Sequence, residues 1–357
     1  MDYTALMGHS PIQRINIKGY GCIQDLDLKL SGLHALIGPN DSGKSTVLRA
    51  IRTVSQLGAG FLDLGASGFD TMLDSGSDPR ITAYFSDGNA YEVFVSANQL
   101  QEDVLSSTGP SIGARSRERQ NISSFYNHAD TASWLQANLT IPTMVRFDPD
   151  ELRRPSELIQ ESRGISFKND RGYGLAGVFD AITNRDVEAF AMIQSEVRRL
   201  FPTIAKLGLV NVNSSTKSMA VTLVNGVRIE AARMSEGLLY FLAFTALKHI
   251  SDSRLFLVEE PENGLHPARI AEVMGVLKEL SKESQIVVAT HSPLVINELE
   301  GHQVSVLTRD ETGTDATLLC DTPHFEERSK VYALGELWVS YANGSNESPL
   351  LNSDPLP

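Results

Sequence analysis

The sequence predicts an α/β fold: a mixed sheet with flanking helices, an antiparallel β subdomain and a helical insertion. Three observations carry this expectation. An apolar run at residues 32–37 ends in a glycine-bearing loop, and residues 46–51 after it have the apolar spacing of a helix. Two more short apolar runs, at 255–258 and 285–290, flank a helix-length segment, which is the strand, helix, strand repeat of a parallel sheet. Elsewhere, alternating residues interrupted by turn signals mark hairpins.

Taken in order, residues 12–30 alternate apolar and polar around Gly19-Tyr20-Gly21 and predict a hairpin. A Gly/Asp/Ser-rich stretch at 58–78 follows the first helix. Residues 80–85 and 91–95, flanking Ser86-Asp87-Gly88-Asn89, predict a second hairpin. Residues 100–140 are polar and weakly patterned; their small basic run at 114–119 is expected on a solvated helix face or loop, because no aromatic residues interleave with the arginines as in a nucleic-acid contact. Residues 141–147 read as an edge strand, given Pro142. Helical spacing at Val178, Ile182, Phe190, Ile193 and Val197 predicts a compact helical insertion over 174–200, too short in heptads for an extended coiled coil. Asn225-Gly226 turns 220–224 back into 227–229, and the chain runs through Met234-Ser235-Glu236-Gly237 into an apolar helix at 238–250. A strand at 304–307 and an amphipathic stretch at 332–341, whose apolar Trp338 face reads as core packing or else as a docking surface, complete the pattern. The resulting division is a split core at 1–99 and 205–325, a mainly helical insertion or lid at 100–204, and a C-terminal helix and tail at 326–357.

With 357 residues, 41% of them hydrophobic, the chain can build one large domain or two ordinary ones. Its net charge of −13 argues against a surface that coats nucleic acid. Cys22 and Cys320 are far apart and outside any His/Cys cluster, so neither a disulfide framework nor a zinc site is expected, and both read as buried thiols. The longest apolar stretch, 237–247, is too short to span a bilayer, which points to the cytoplasm and away from membranes.

The chemistry concentrates in a few places. Gly38-Pro39-Asn40-Asp41-Ser42-Gly43-Lys44-Ser45-Thr46 fits the phosphate loop G-x-x-x-x-G-K-[ST]. Its glycines let consecutive N–H groups curl round an anion at the positive end of a helix, Lys44 can reach β and γ oxygens, and Ser45 can ligate Mg²⁺. Glu259 and Glu260 close an apolar strand, where a carboxylate can hold the metal and a second can orient the attacking water; two solvated strand-end glutamates are the plain alternative. His291 closes the next apolar strand, either to meet a γ-phosphate or as a structural histidine. Ser235, with Gly237, starts a helix and reads either as an N-cap or as a second anion site.

In this order the phosphate loop, Met234-Ser235-Glu236-Gly237, Val258-Glu259-Glu260-Pro261, the Asn263-to-His266 turn and Thr290-His291-Ser292 resemble the ABC-type P-loop ATPases. The run from Glu260 to Pro267 is similar to compact members of the SMC, RecF and OLD-like branch. The resemblance implies that residues 38–46 bind ATP, that Ser45 and Glu259 serve Mg²⁺, and that Glu260 is the catalytic base. It also implies that Ser235 and Gly237 act in trans as a signature, with His291 as a switch, so that a homodimer encloses two ATPs. Three departures stand out: Glu259 where transporters carry aspartate, Met-Ser-Glu-Gly in the signature, and Tyr20-Gly21 in place of an aromatic-Arg pair. The C-terminal tail after residue 301 is too short to hold a Toprim nuclease domain of the OLD kind, so any nuclease is expected to be a separate chain. The expected function is an ATPase gating such an effector in anti-phage defence; a repair or chromosome-maintenance ATPase that binds DNA directly and a slowly turning ATP-dependent scaffold are the alternatives.

Overall fold

A computed structural model of the chain describes residues 10–60, 78–96, 99–105, 113–117, 122–123, 129–251, 253–311, 313–322, 325–329 and 332–336. Most of the Gly/Asp/Ser-rich stretch, Arg119 and Trp338 lie outside them. In chain order the elements are β1 (Ile12–Tyr20), β2 (Ile23–Lys29), β3 (Leu33–Ile37), α1 (Lys44–Gly58), β4 (Arg80–Phe85), β5 (Ala90–Ser96), β6 (Gln99–Leu105), β7 (Gly113–Arg117) and β8 (Ile122–Ser123). There follow α2 (Ala129–Asn138), β9 (Thr143–Val145), α3 (Pro149–Arg153), β10 (Ser156–Glu157), α4 (Leu175–Arg185), α5 (Val187–Leu200), β11 (Ile204–Asn211), β12 (Thr216–Leu223) and β13 (Arg228–Glu230). The last are α6 (Glu236–Ala246), β14 (Leu255–Glu259), α7 (Pro267–Leu280), β15 (Gln285–Ala289), α8 (Pro293–Ile296), β16 (Val304–Asp310), β17 (Gly313–Leu318) and α9 (Phe325–Arg328).

The chain forms two compact units, Met1–Thr143 with Arg254–Glu260 and Ser281–Pro357, and Met144–Ser253 with Pro261–Leu280. In the first, an antiparallel sheet runs in the order β2-β1-β4-β5-β6-β7-β8. Its alternation is the one the sequence shows: Ile15, Ile17 and Tyr20 of β1 and Ile23, Leu26 and Leu28 of β2 are buried while their neighbours face water. The second sheet of this unit runs β17-β16-β3-β15-β14, with β16, β3, β15 and β14 parallel and β17 antiparallel. Helix α1 contacts strands of both sheets, so twelve of its fifteen residues are buried and little of it remains for solvent. Gln285, at the start of β15, ties the two sheets: its Oε1 accepts from the Ile12 N–H (3.0 Å) and its Nε2 donates to the carbonyls of Ile12 (2.7 Å) and Ser31 (3.2 Å).

In the second unit, α4 and α5 pack on the antiparallel strands β11 and β12. The predicted Asn225-Gly226 turn joins β12 to β13, with Gly226 at φ +84° and the Asn225 side chain accepting from the Val227 N–H (3.1 Å). Helix α6 is apolar all round, and every residue from Leu238 to Ala246 is buried.

Several expectations change. Residues 99–105, 113–117 and 122–123 are strands extending the antiparallel sheet, so the start of the expected helical insertion and the described part of the basic run belong to β structure. The segment 174–200 is two helices, broken where Asp186 caps the second by accepting from the Ala189 N–H (2.9 Å). The strand expected at 141–147 is only Thr143–Val145, and β11 was not anticipated. Neither cysteine is fully buried: Cys22 lies in the β1–β2 turn and Cys320 in a short 3-10 turn.

Candidate functional site

The register of the parallel sheet lines up three strand ends. Ala289 of β15 stands opposite Leu36 of β3 on one side and Glu259 of β14 on the other. The phosphate loop, the residues after Ala289 and the Glu259-Glu260 pair therefore leave the sheet together at its C-terminal edge, separated by strand spacings of about 4.8 Å. Pairing continues past the strand ends, with the Glu260 N–H donating to the Ala289 carbonyl (2.8 Å) and the Thr290 N–H to that of Leu36 (3.1 Å).

The loop itself is tightly wound. Gly38 has φ +151°, and a Cβ there would lie 2.3 Å from the Leu307 carbonyl oxygen and 2.7 Å from Ser42 Oγ, so only glycine allows this approach. Gly43, at φ +102°, is the N-cap of α1; no side chain caps the helix and no acidic residue stands in its first turn. The first amides of α1 thus keep their capacity for an anion. Lys44 is buried, and its ammonium donates to the carbonyls of Gly38 (2.8 Å) and Pro39 (2.7 Å). Ser45, Asn40 and Asp41 are exposed, Pro39 is half-buried and Ser42 is buried. Thr46 is buried, with Oγ1 3.4 Å from Cys22 Sγ and accepting from Arg49 Nη2 (3.3 Å). The β1–β2 turn therefore lies on the start of α1, where a Cβ on Gly21 would meet Thr46 Cγ2 at 2.9 Å.

Glu259 is half-buried at the end of β14. Glu260 has φ +49°, the left-handed region, which costs a non-glycine residue about 1–2 kcal/mol. His291 is half-buried; burial first, then the Lys44 ammonium, holds its protonation below the ordinary imidazole range, and the Glu260 carboxylate opposes this. Lys44 and Glu260 thus both act electrostatically on His291. Thr290, fully buried, accepts from the Ser292 N–H through Oγ1 (2.9 Å) and shapes the turn that carries His291.

Ser235 and Gly237 belong to the other compact unit. Ser235 is exposed and is the N-cap of α6, but its side chain makes no capping hydrogen bond. A Cβ on Gly237 would meet nothing within 4 Å. Two contacts not anticipated from the sequence hold this segment in place. Arg153 of α3 approaches Glu236 (3.6 Å), and the Tyr240 ring lies where a Cβ on Gly264 would come within 2.3 Å of Cε2, with Gly264 at φ +68° in the Asn263-to-His266 turn. Neither is readable locally, since each joins residues distant in sequence.

Among the described residues no helix is long and apolar enough to cross a membrane. Comparison with solved structures places the fold with SMC heads. A structure of the SMC head bound to the C-winged helix domain of ScpA superposes with a TM-score of 0.57 at 16% identity, covering 86% of this chain and 97% of that one. A Pyrococcus furiosus SMC head with an extended coiled coil, bound to the C-terminal domain of ScpA, gives a TM-score of 0.50 at 14% identity over 86% and 96% of the two chains. An OLD nuclease of Thermus scotoductus is 46% identical over 43 residues, a stretch that spans 12% of this chain and 8% of that protein. The fold is accordingly that of a P-loop ATPase of SMC-head type. A family profile matches residues 33–297, from the first strand of the parallel sheet through the His291 turn, and the chain belongs to the family it describes, "AAA domain, putative AbiEii toxin, Type IV TA system".

Proposed function

We propose that this chain binds and hydrolyses ATP with Mg²⁺ and that two copies close around two ATP molecules. The observation that carries the reading is the convergence of the phosphate loop, Glu259-Glu260 and His291 on one sheet edge. The residues fit the ligands: the close approach at Gly38 and the uncapped start of α1 form an anion cradle, and Ser45 and Glu259 offer the hard oxygen donors that magnesium takes. Magnesium held there would neutralise charge developing on the phosphate oxygens.

Lys44 exchanges its loop carbonyls for phosphate oxygens. The Glu260 carboxylate accepts a proton from the attacking water, and the neutral His291 imidazole donates its N–H toward the γ-phosphate or holds that water. The exposed Ser235 hydroxyl and the open space above Gly237 suit a γ-phosphate presented by a second copy. Steady-state ATPase measurements on wild type and Glu260→Gln test this, and equal turnover would remove Glu260 from the base role.

Closing on ATP and opening after hydrolysis would gate a separate effector, a nuclease in cytoplasmic anti-phage defence. The motif order and the short similarity to an OLD nuclease support this part. Co-purification from the native host, with identification of the bound chain, tests it; recovery of the chain alone under ATP-trapping conditions would count against it.

A further inference from the structure

Helices α5, α6 and α7, with the turn Leu247–His249 that follows α6, border a cavity of about 480 Å³ in the second unit. That is the size range of small-molecule sites. Its walls include Ile193, Phe241 and Val276, and above Gly275 a Cβ would meet nothing within 4 Å, so the trough is open over α7. Met192 stands at its lip with 74% of its surface exposed, an apolar and pliable side chain where a solvated helix face would carry a polar one.

The charges around the trough are unevenly spent. Near the C-terminal end of α5, Arg199 pairs with Glu196 (2.5 Å), and Glu272 pairs with Arg269 (3.4 Å). The opposite end, where Asp186 at the start of α5 acts on His249, holds Lys248 and His249. Lys248 is exposed and makes no ion pair among the described residues, and neither ring nitrogen of His249 has a hydrogen-bond partner among them. Glu279 has interactions of its own. An apolar trough whose lining carboxylates have partners of their own, with Lys248 outside any ion pair among the described residues at one end, can take an amphipathic anion.

We propose that this trough is a binding site for a small amphipathic anion, with an aromatic or aliphatic body against Met192, Ile193, Phe241 and Val276 and a single carboxylate or sulfonate head at Lys248. None of these residues is one assigned to the nucleotide, so the test does not depend on ATP turnover.

Anilinonaphthalene sulfonate titrated into the full chain, followed by fluorescence and calorimetry, is expected to bind saturably at one molecule per chain. Lys248→Gln and Met192→Glu, both at exposed positions and so expected to leave the thermal melt unchanged, should each weaken binding roughly tenfold. Phenylnaphthylamine, the same body without the sulfonate, should be weaker by a similar factor. Binding that never saturates, or that neither substitution moves, overturns the proposal. So does equal binding of the uncharged probe. A self-associated form that excludes the probe and is abolished by Met192→Glu would show a second copy covering the trough, and overturns it as well.

Discussion

The phosphate loop and the signature segment are both starts of helices, yet they are built in opposite ways. At the first, Lys44 and Ser42 are buried, Gly38 touches a neighbouring strand and the β1–β2 turn rests on Thr46. At the second, Ser235 is exposed, its hydroxyl caps nothing and Gly237 has open space above it. An enclosed loop holds its shape by contacts within its own unit. An outward-facing helix start is suited to a surface supplied by another molecule. On this reading binding is intrinsic to each copy, and completing the site requires two.

The contrast is sharpest under substitution. Gly38→Ala should abolish nucleotide binding and lower stability by roughly 1–3 kcal/mol, because the new Cβ meets the Leu307 carbonyl at 2.3 Å; equilibrium titration with a fluorescent ATP analogue and denaturant unfolding measure the two effects. Glu260→Gln should keep ATP binding and lose about a hundredfold or more in turnover. Glu260→Gly should be equally inactive yet more stable, by about 1 kcal/mol, since glycine accepts φ +49° without strain; a less stable glycine variant would show that the turn is not strained. Ser235→Arg should leave the affinity of single copies unchanged and remove ATP-driven dimerisation, as read by sedimentation with Glu260→Gln in the background. Loss of single-copy binding would mean that the two regions are not separable.

The last effect is one of pH, spread over several units rather than produced by a single substitution. His34, in β3 of the enclosed unit, is fully buried between Ser31 and Ser305, and burial, helped by His302, lowers its pKa to about 3. Above the ordinary imidazole value neither folded nor unfolded chain protonates it. Below that value the unfolded chain takes up a proton that the folded chain refuses, so stability falls as pH falls, by about 1.4 kcal/mol per pH unit from this group, until about pH 3. His291, shifted in the same direction, adds to the upper part of that window. Urea unfolding across the window measures the slope, and a flat profile would mean that His34 protonates while folded.

Local chemistry made much of this legible. The glycines of the loop, the glutamates and histidine at strand ends, and Asn225-Gly226 each declare their conformation within a few residues. What stayed hidden depended on partners far away in sequence. In β6 the inward positions are Leu100, Glu102 and Val104; the buried Glu102 accepts from the Tyr91 hydroxyl (2.5 Å), and a carboxylate at the middle position erased the alternation that would have announced a strand. The first compact unit runs on to Thr143, past that strand. The meeting of Tyr240 with Gly264 was hidden for the same reason: nothing beside either residue encodes it.

Gln285 never meets the nucleotide residues, yet its amide both donates and accepts across two sheets at the foot of the strand that ends at His291. Glutamate has the reach but, when ionised, gives no hydrogen; asparagine gives and takes but falls a methylene short. Because its partners are main-chain groups of Ile12 and Ser31, no side-chain change at those two positions could replace what the Gln285 amide contributes, and the stitching of the two layers rests on this one residue.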